Sequence, residues 1–282
     1  MLIEYEGQAM NDSLDSIQVL RVRDHEVCFR DIGRGPIVVL LHGWSLNSTY
    51  WAPQIEFLSK KYRVIAYDWR GMGCSGGGQK AFDFEALCDE ARFIIGALCG
   101  DQKPTLIGHS LGGNIVLRLA IESSEQLSAI VVVDAPLPHR LKEEILSIVF
   151  RLASERISLK LMAAFAKHVL WGVRFSLARP EIIAYWKTQF RSNSVPALIN
   201  SCAAWARRPN PIPDLDKIKV RSLLIAGEQD TVTGRDMKKL QQAWSGSQLH
   251  LIRNAGHMSF VEQADQFNEV IGSFLTGIED GR

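Results

Sequence analysis

The sequence predicts an α/β fold, with a mostly parallel β-sheet flanked by helices and an inserted helical cap. Short, continuous apolar runs alternate with amphipathic segments along most of the chain, which is the order that gives parallel strands joined by crossover helices. The runs hold few polar residues, as in strands that are buried on both faces. One interval between two runs is also much longer than a crossover connection needs.

The predicted elements follow one another along the chain. Partial alternation of apolar residues on either side of a turn at His25 predicts an initial pair of strands. The continuous apolar runs that follow predict buried strands, and segments with helical periodicity predict helices. The predicted strands cover residues 16–24, 26–33, 37–43, 62–68, 105–110, 128–136, 221–230 and 248–256, and the predicted helices cover residues 48–61, 83–98, 111–123, 235–246 and 260–275.

The long interval covers residues 137–213, and its pattern is amphipathic and helical. A crossover between parallel strands needs only about a dozen residues, so the surplus predicts an inserted subdomain. Pro211 and Pro213 mark the return of the chain to the sheet. We therefore expect a core formed by residues 1–136 and 214–282 and a helical cap formed by residues 137–213.

Composition and charge restrict the class of partner. The 282 residues are 46% hydrophobic and carry a formal net charge of +1. A sizeable core is therefore expected, and the overall charge gives no indication of a nucleic-acid partner. The sequence has no run of 18 apolar residues, so no transmembrane segment is predicted. The partner that we expect is a small-molecule substrate.

The cysteines and histidines give no indication of a metal site. The five cysteines are scattered without a Cys-x-x-Cys pair, and we expect reduced thiols in a cytoplasmic protein. Residues 1–16 lack the charged-then-apolar pattern of a secretory signal. None of the seven histidines has a partner at the spacing of metal ligands. Neither a metal nor a cofactor is predicted.

Ser110 is the candidate nucleophile. It lies in "TLIGHSLGGN" (105–114), between a predicted strand and a predicted helix. Gly108 and Gly112 allow the strand and the helix to approach closely, while the serine occupies a strained turn at the tip of the strand. The helix that begins at Leu111 directs its N-terminal N–H groups and its positive dipole end towards the site, which favours a developing oxyanion.

A serine hydroxyl needs an adjacent base, and that base needs an orienting acid. His257 follows the last apolar strand, and Asp230 closes "LLIAGEQD". The carboxyl ends of parallel strands meet at one edge of a sheet. We therefore expect Ser110, Asp230 and His257, in that chain order, to form a catalytic triad there. Glu228 and Asp134 also follow strands and stay open as alternatives to Asp230.

Two backbone N–H groups are candidates for an oxyanion hole. Trp44 lies in "LLHGWS" at the end of another strand, and Leu111 directly follows the nucleophile. A packing role is the alternative for the Trp44 side chain. His109 and Asp134 are further candidates for the lining of the substrate pocket, with packing as the alternative for His109.

Five motifs occur together: "HGW" (42–44), "YRVIAYDWRGMGCSG" (62–76), "GHSLGG" (108–113), "GEQD" (227–230) and "NAGH" (254–257). Together they resemble the α/β-hydrolase superfamily, over nearly the whole chain outside the predicted cap. The stretch from "HGW" to "CSG" is particularly similar to the serine esterase and perhydrolase branch. The resemblance implies the α/β-hydrolase fold, with a cap that shapes the substrate pocket.

The resemblance also implies roles for three residues. In such proteins the serine of "GHSLGG" is the nucleophile, here Ser110, and the histidine of the last motif is the base, here His257. The carboxylate after the seventh strand orients the histidine, here Asp230. These roles imply a cofactor-free serine hydrolase that cleaves a carboxylic ester or thioester of a small, largely apolar substrate through an acyl-enzyme.

Other activities on the same fold stay open. Acyl transfer uses the same acyl-enzyme with a different acceptor. A carbon–carbon bond hydrolase often carries "GPG" where this sequence has "GWSLN" (43–47). For a cofactor-free dioxygenase, Asp134 and "WRG" (69–71) fit, but the intact "GEQD" disfavours it. A non-catalytic receptor is disfavoured by the complete triad. Ser110 occupies the position of the aspartate nucleophile of dehalogenases and epoxide hydrolases, which disfavours those reactions.

Overall fold

The computed structural model describes residues 17–154 and 159–280. Its strands are β1 (Gln18–Val22), β2 (His25–Ile32), β3 (Ile37–Leu41), β4 (Arg63–Tyr67), β5 (Thr105–His109), β6 (Ala129–Val133), β7 (Arg221–Gly227) and β8 (Ser247–Ile252). They form one sheet in the order β1-β2-β4-β3-β5-β6-β7-β8. The pairs β1–β2 and β2–β4 are antiparallel, and the later neighbours are parallel. The predicted mostly parallel sheet is confirmed.

Helices connect and cover these strands. In the described residues they are α1 (Ala52–Leu58), α2 (Phe84–Cys99), α3 (Leu111–Ser123), α4 (Arg140–Ser154), α5 (Leu159–Leu170), α6 (Val173–Ala178), α7 (Pro180–Ser192), α8 (Val195–Ala206), α9 (Gly234–Ala243), α10 (Ser259–Glu262) and α11 (Ala264–Glu279). Helices α4 to α8 lie between β6 and β7, where α4 packs on α8 and α5 packs on α7. The division of the chain into core and cap at residues 137 and 213 stays a prediction.

The central strands of the sheet are more deeply buried than the strand β8 at one edge. Every residue of β3, β5 and β6 is buried, as expected for parallel strands that are covered on both faces. In the edge strand β8, by contrast, several residues are exposed. The carboxyl ends of the central strands therefore rest on a packed core, which fixes the position of the residues that follow them.

Two predicted helices are divided in the structure. The helix predicted over residues 48–61 begins as a 3₁₀ turn, Ser48–Trp51, and continues as α1. Pro53 lies in the first turn of α1, a position that suits a residue without an N–H group. The last predicted helix is divided into α10 and α11 at Gln263, whose backbone leaves the helical region (φ −138°, ψ 59°).

Two of the five cysteines are paired. Cys28 in β2 and Cys74 in the loop after β4 form a disulfide, with Cα atoms 5.9 Å apart. The expectation that all the cysteines are reduced thiols is therefore wrong for this pair, because the fold brings together residues that are far apart in sequence. Cys88, Cys99 and Cys202 are buried free thiols. The pairing removes one observation on which the cytoplasmic expectation depended.

In residues 17–154 and 159–280, no helix combines the length and the apolar character that crossing a bilayer requires. The expectation that the chain lacks a secretory signal concerns residues 1–16, which lie outside the described residues. The cellular compartment stays a prediction.

Candidate active site

Ser110 lies in the turn between β5 and α3. Its backbone has φ 52° and ψ −115°, and a positive φ is uncommon for residues other than glycine. The Ser110 N–H group donates to the carbonyl oxygen of Val133 in β6 at 2.8 Å. A Cβ atom on Gly108 would lie 2.3 Å from the carbonyl oxygen of Gly112, so the close approach of strand and helix requires glycine. This geometry is that of a nucleophile elbow.

Three side chains meet at the carboxyl ends of β5, β7 and β8. His257 Nε2 lies 3.2 Å from Ser110 Oγ, and His257 Nδ1 lies 3.0 Å from Asp230 Oδ2. When the Nδ1–H group donates to the carboxylate, the lone pair of Nε2 faces the serine hydroxyl. Glu228 lies outside this arrangement, because its carboxylate accepts a hydrogen bond from the Asn254 N–H group at 3.3 Å.

Asp230 is held by several donors besides His257. Its Oδ1 accepts hydrogen bonds from the N–H groups of Val232 at 2.7 Å and Thr233 at 3.1 Å, and its Oδ2 accepts one from the Thr233 hydroxyl. Burial opposes ionisation of Asp230. The charge of His257 and the hydrogen bonds outweigh burial, and the pKa of Asp230 is lowered to about 2. The carboxylate is therefore ionised at neutral pH.

His257 is buried, and burial by itself lowers the pKa of an imidazole. The Asp230 carboxylate outweighs burial, with further contributions from Asp134 and Glu262, and the pKa of His257 is raised above its ordinary value of 6.5. A raised pKa makes the imidazole a stronger proton acceptor, as a general base requires.

A buried glutamate holds the loop that carries His257. Glu262 Oε2 accepts a hydrogen bond from the Gly256 N–H group at 3.0 Å, and Oε1 accepts from Met258 at 3.4 Å and from Gly172 at 3.1 Å. Burial raises the pKa of Glu262. Gly256 and Met258 flank the histidine, whereas Gly172 lies between α5 and α6. Sequence analysis missed Glu262, whose only signal was its position shortly after the "NAGH" motif.

The loop after β3 brings Trp44 next to Ser110. A Cβ atom on Gly43 would lie 3.1 Å from Ser110 Cβ, so the backbone passes very close to the serine. Leu111 is the first residue of α3, at the positive end of the helix dipole. Trp44 also packs edge-on against Phe150, with ring centroids 5.2 Å apart. Both oxyanion-hole candidates therefore flank Ser110, and Trp44 has a packing role as well.

An apolar cavity of about 410 Å³ lies over Ser110. Helices α4, α5 and α8 form much of its wall. Among the described lining residues, only His109, Ser110 and His257 carry an imidazole or a hydroxyl group. The lining residues are Trp44, Leu46, His109, Ser110, Pro136, Leu146, Val149, Phe150, Ala153, Met162, Ala166, Leu170, Cys202, Trp205, Val232 and His257.

The two further pocket candidates lie in different places. His109 lines the cavity, and its Nε2–H group donates to the His257 carbonyl oxygen at 2.9 Å. Burial and the neighbouring His257 lower the pKa of His109 well below its ordinary value. Asp134 is fully buried and accepts hydrogen bonds from the Gly227 N–H group at 2.8 Å and from the Ser259 hydroxyl at 2.6 Å. These donors hold Asp134 behind the site, contrary to the expectation that it lines the pocket.

The comparisons with known proteins agree with this architecture. A family model described as "Alpha/beta hydrolase family" matches residues 38–270. The chain belongs to the alpha/beta hydrolase family. Within it, the chain is 27% identical to the AB hydrolase superfamily protein YisY of Bacillus subtilis, over 90% of this chain and 97% of that protein. Membership of the family confirms the resemblance seen in the motifs and supports a hydrolase function.

Solved structures show the same alpha/beta hydrolase fold. An esterase from Thermogutta terrifontis has a TM-score of 0.86 and 23% identity, covering 93% of this chain and 99% of the esterase. An enol-lactonase from Burkholderia xenovorans has a TM-score of 0.83 and 22% identity, covering 92% of this chain and all of the lactonase. At these identities, the two structures show the fold alone.

Proposed function

We propose that this alpha/beta hydrolase is a serine ester or thioester hydrolase that forms an acyl-enzyme on Ser110. The observation that carries the proposal is the pair of distances at His257, 3.2 Å from Nε2 to Ser110 Oγ and 3.0 Å from Nδ1 to Asp230 Oδ2. A proton acceptor then faces the hydroxyl, with an ionised acid behind it. This arrangement activates a serine nucleophile.

The reaction begins with acylation of the serine. Ser110 Oγ attacks the carbonyl carbon while its proton passes to His257 Nε2, and the N–H groups of Trp44 and Leu111 bind the oxyanion. The bond to the leaving alcohol or thiol then breaks, and the leaving group takes the proton from His257. Asp230 stays ionised throughout and stabilises the imidazolium.

Deacylation reverses these proton transfers. Water gives a proton to His257 Nε2 and attacks the acyl carbon. The bond between Ser110 Oγ and the acyl carbon breaks, Ser110 Oγ takes the proton back, and the carboxylic acid leaves. An alcohol in place of water would give acyl transfer, so adding alcohol acceptors to the assay and measuring product partition separates the two reactions.

The cavity indicates the class of substrate. A volume of about 410 Å³ lies within the range of small-molecule pockets. The described lining contains no lysine, arginine, aspartate or glutamate, so an ionic group of a substrate would lose water there without gaining a partner. The substrate proposed is therefore an ester or thioester with a neutral, apolar acyl or aryl group.

A panel of esters and thioesters of graded acyl length tests this proposal. We expect apolar acyl groups longer than acetyl to be preferred, and Ser110→Ala to lower kcat/KM at least ~10³-fold. Ser128→Ala, at a loop position away from the cavity, is the control and keeps wild-type rates. A fluorophosphonate probe should modify Ser110. Near-normal turnover by Ser110→Ala, or a label on another residue, would contradict the proposal.

A further inference from the structure

Charge is unevenly distributed along the chain. Residues 137–213, here called the cap segment, contain 12 lysines and arginines against 4 aspartates and glutamates, a net charge of +8. The rest of the chain contains 20 against 27, a net charge of −7. The overall charge of +1 therefore conceals a strongly basic segment on an acidic core. Such a division orients a protein with its basic part towards an anionic surface.

Helix α4, in the cap segment, exposes a row of large apolar side chains. Leu141, Ile145, Ile148 and Leu152 lie four, three and four residues apart, so they share one face of the helix. Their exposed fractions are 74%, 54%, 57% and 46%. We call this row the outer face of α4. A contiguous apolar surface of this kind usually marks an interaction site.

A neighbouring face of the same helix forms a wall of the cavity. Leu146, Val149 and Phe150 line the cavity over Ser110. Leu146 and Val149 are also 50% and 54% exposed. The cavity is partly open to solvent, and we infer from these half-exposed side chains that its opening lies beside α4. An apolar molecule held at the outer face would lie next to this opening.

Basic side chains flank the outer face, and the opposite side of α4 is fixed. Lys142 and Arg151 are exposed and lie on either side of the apolar row by helical position. Glu143 is buried and makes two contacts of 3.0 Å with the Arg208 guanidinium. The other acidic residue of α4, Glu144, is partly buried. The buried ion pair keeps the outer face of α4 turned towards solvent.

We propose that the cap segment docks on an anionic lipid bilayer through the outer face of α4. An amphipathic helix at a bilayer surface buries its apolar face in the headgroup region, while its basic side chains contact anionic lipids. The net charge of +8 on the cap segment favours such a surface over a symmetric dimer through α4, which would bring two basic segments together. Docking is independent of the reaction, whereas delivery of a membrane-dissolved ester to Ser110 rests on the proposed function.

Vesicle binding tests the docking without any turnover. Vesicles of ether-linked phosphatidylglycerol and phosphatidylcholine are compared with vesicles of phosphatidylcholine alone, and bound protein is measured by co-sedimentation. We expect binding to the anionic vesicles that weakens at high salt. The triple variant Leu141→Ser/Ile145→Ser/Ile148→Ser should bind at least ~10-fold more weakly. Its substitutions lie outside the cavity lining, so turnover of a water-soluble short-chain ester should be unchanged.

A matched variant removes exposed apolar residues that lie outside the cap segment. Ile17, Val19 and Phe93 are 48%, 57% and 42% exposed, and changing all three to serine should leave vesicle binding as in the wild type. Equal losses in the two triple variants would overturn the proposal. Equal binding to neutral and anionic vesicles would also overturn it, as would a concentration-dependent dimer that the α4 variant abolishes.

Charge substitutions test the electrostatic part. Lys142→Gln/Arg151→Gln should weaken binding to anionic vesicles and reduce its dependence on salt. Lys238→Gln/Lys239→Gln, at exposed positions of α9 in the core, removes the same charge and should leave binding unchanged. Equal weakening by both pairs would show a response to net charge alone and would overturn docking through α4.

Two substrates separate docking from the proposed reaction. On a long-chain ester dissolved in anionic vesicles, the α4 triple variant should be at least ~10-fold slower than the wild type, with equal rates on the soluble ester. Equal rates on both substrates would overturn delivery through α4. Undiminished turnover of both substrates by Ser110→Ala would instead overturn the proposed function and leave the vesicle-binding result in place.

Discussion

The sheet edge and helix α4 are held in place in opposite ways. At the edge, His257, Asp230 and Glu262 are buried, and each makes hydrogen bonds to neighbouring loops. Helix α4 leaves apolar side chains in solvent and is fixed by the buried pair Glu143–Arg208. Proton transfer needs fixed geometry, whereas recognition of an acyl chain needs only apolar surface. Substitutions at the edge should lower turnover of every substrate, and substitutions in α4 should change preference among substrates.

The largest effect should come from Asp230→Asn. The variant loses the ionised group that fixes the His257 tautomer, so we expect kcat to fall about 10³–10⁴-fold at every acyl length. The control is Asp134→Asn. Asp134 makes its hydrogen bonds with the Gly227 N–H group and the Ser259 hydroxyl rather than with the His257 ring, so most activity should remain. The reverse pattern would make Asp134 the orienting acid and would favour the dioxygenase alternative.

Glu262→Gln should have the next largest effect. An amide group would place its own N–H donors against the N–H groups of Gly256, Met258 and Gly172, which now share the carboxylate. The loop that carries His257 should then shift, and kcat should fall about 10–10²-fold with KM nearly unchanged. Glu269→Gln, at an exposed position of α11, is the matched control. A change in thermal stability without a change in kcat would assign Glu262 a purely structural role.

Phe150→Ala tests the role of helix α4 in substrate preference. The side chain lines the cavity from α4 and packs on Trp44, so its removal should raise KM for long acyl esters about 10-fold and leave kcat for an acetyl ester unchanged. Phe93→Ala, on the exposed side of α2, should change neither value. If Phe150→Ala lowered kcat equally at all acyl lengths, the proposed division would be wrong, in which the sheet edge carries out the reaction and helix α4 recognises the acyl group.

The smallest effect expected is a shift in pH dependence. His257 acts as a base only when neutral, so kcat/KM should rise as pH increases through its pKa. Because Asp230 raises that pKa above 6.5, the acid limb of the wild-type profile should lie above pH 6.5. In Asp230→Asn, burial remains without the opposing charge, and an NMR titration of the imidazole should give a lower pKa. A wild-type limb below pH 6.5 would contradict this account of the site.

The meeting of Ser110, Asp230 and His257 could be predicted because each residue follows an apolar strand. The carboxyl ends of such strands converge once the sheet forms, so chain order and position after a strand predict proximity without knowledge of any loop. The positions of Trp44 and Leu111 beside Ser110 follow from the same rule. The parallel sheet was predictable for a related reason, since strands buried on both faces need continuous apolar runs.

Other features depend on contacts that leave no local pattern. Glu262 binds backbone N–H groups, which every residue except proline possesses, so no motif indicates its partners. The Cys28–Cys74 pair depends on how the loop after β4 returns to β2. Asp134 follows a strand as Asp230 does, and only the donors at Gly227 and Ser259 direct its carboxyl group inwards. The shape of the cavity depends on the separation of α4 and α5.

The attachment of Glu262 links the position of the inserted helices to the proposed base. Its Oε1 atom accepts hydrogen bonds from Met258 beside the histidine and from Gly172 between α5 and α6. A bulky ligand that displaces α5 and α6 must either break the hydrogen bond between Gly172 and Glu262 or shift the loop that carries His257. A ligand accommodated by different side chains on α4 leaves that loop undisturbed. Substitutions in α4 can therefore change substrate selectivity while the positions of His257 and Asp230 stay the same.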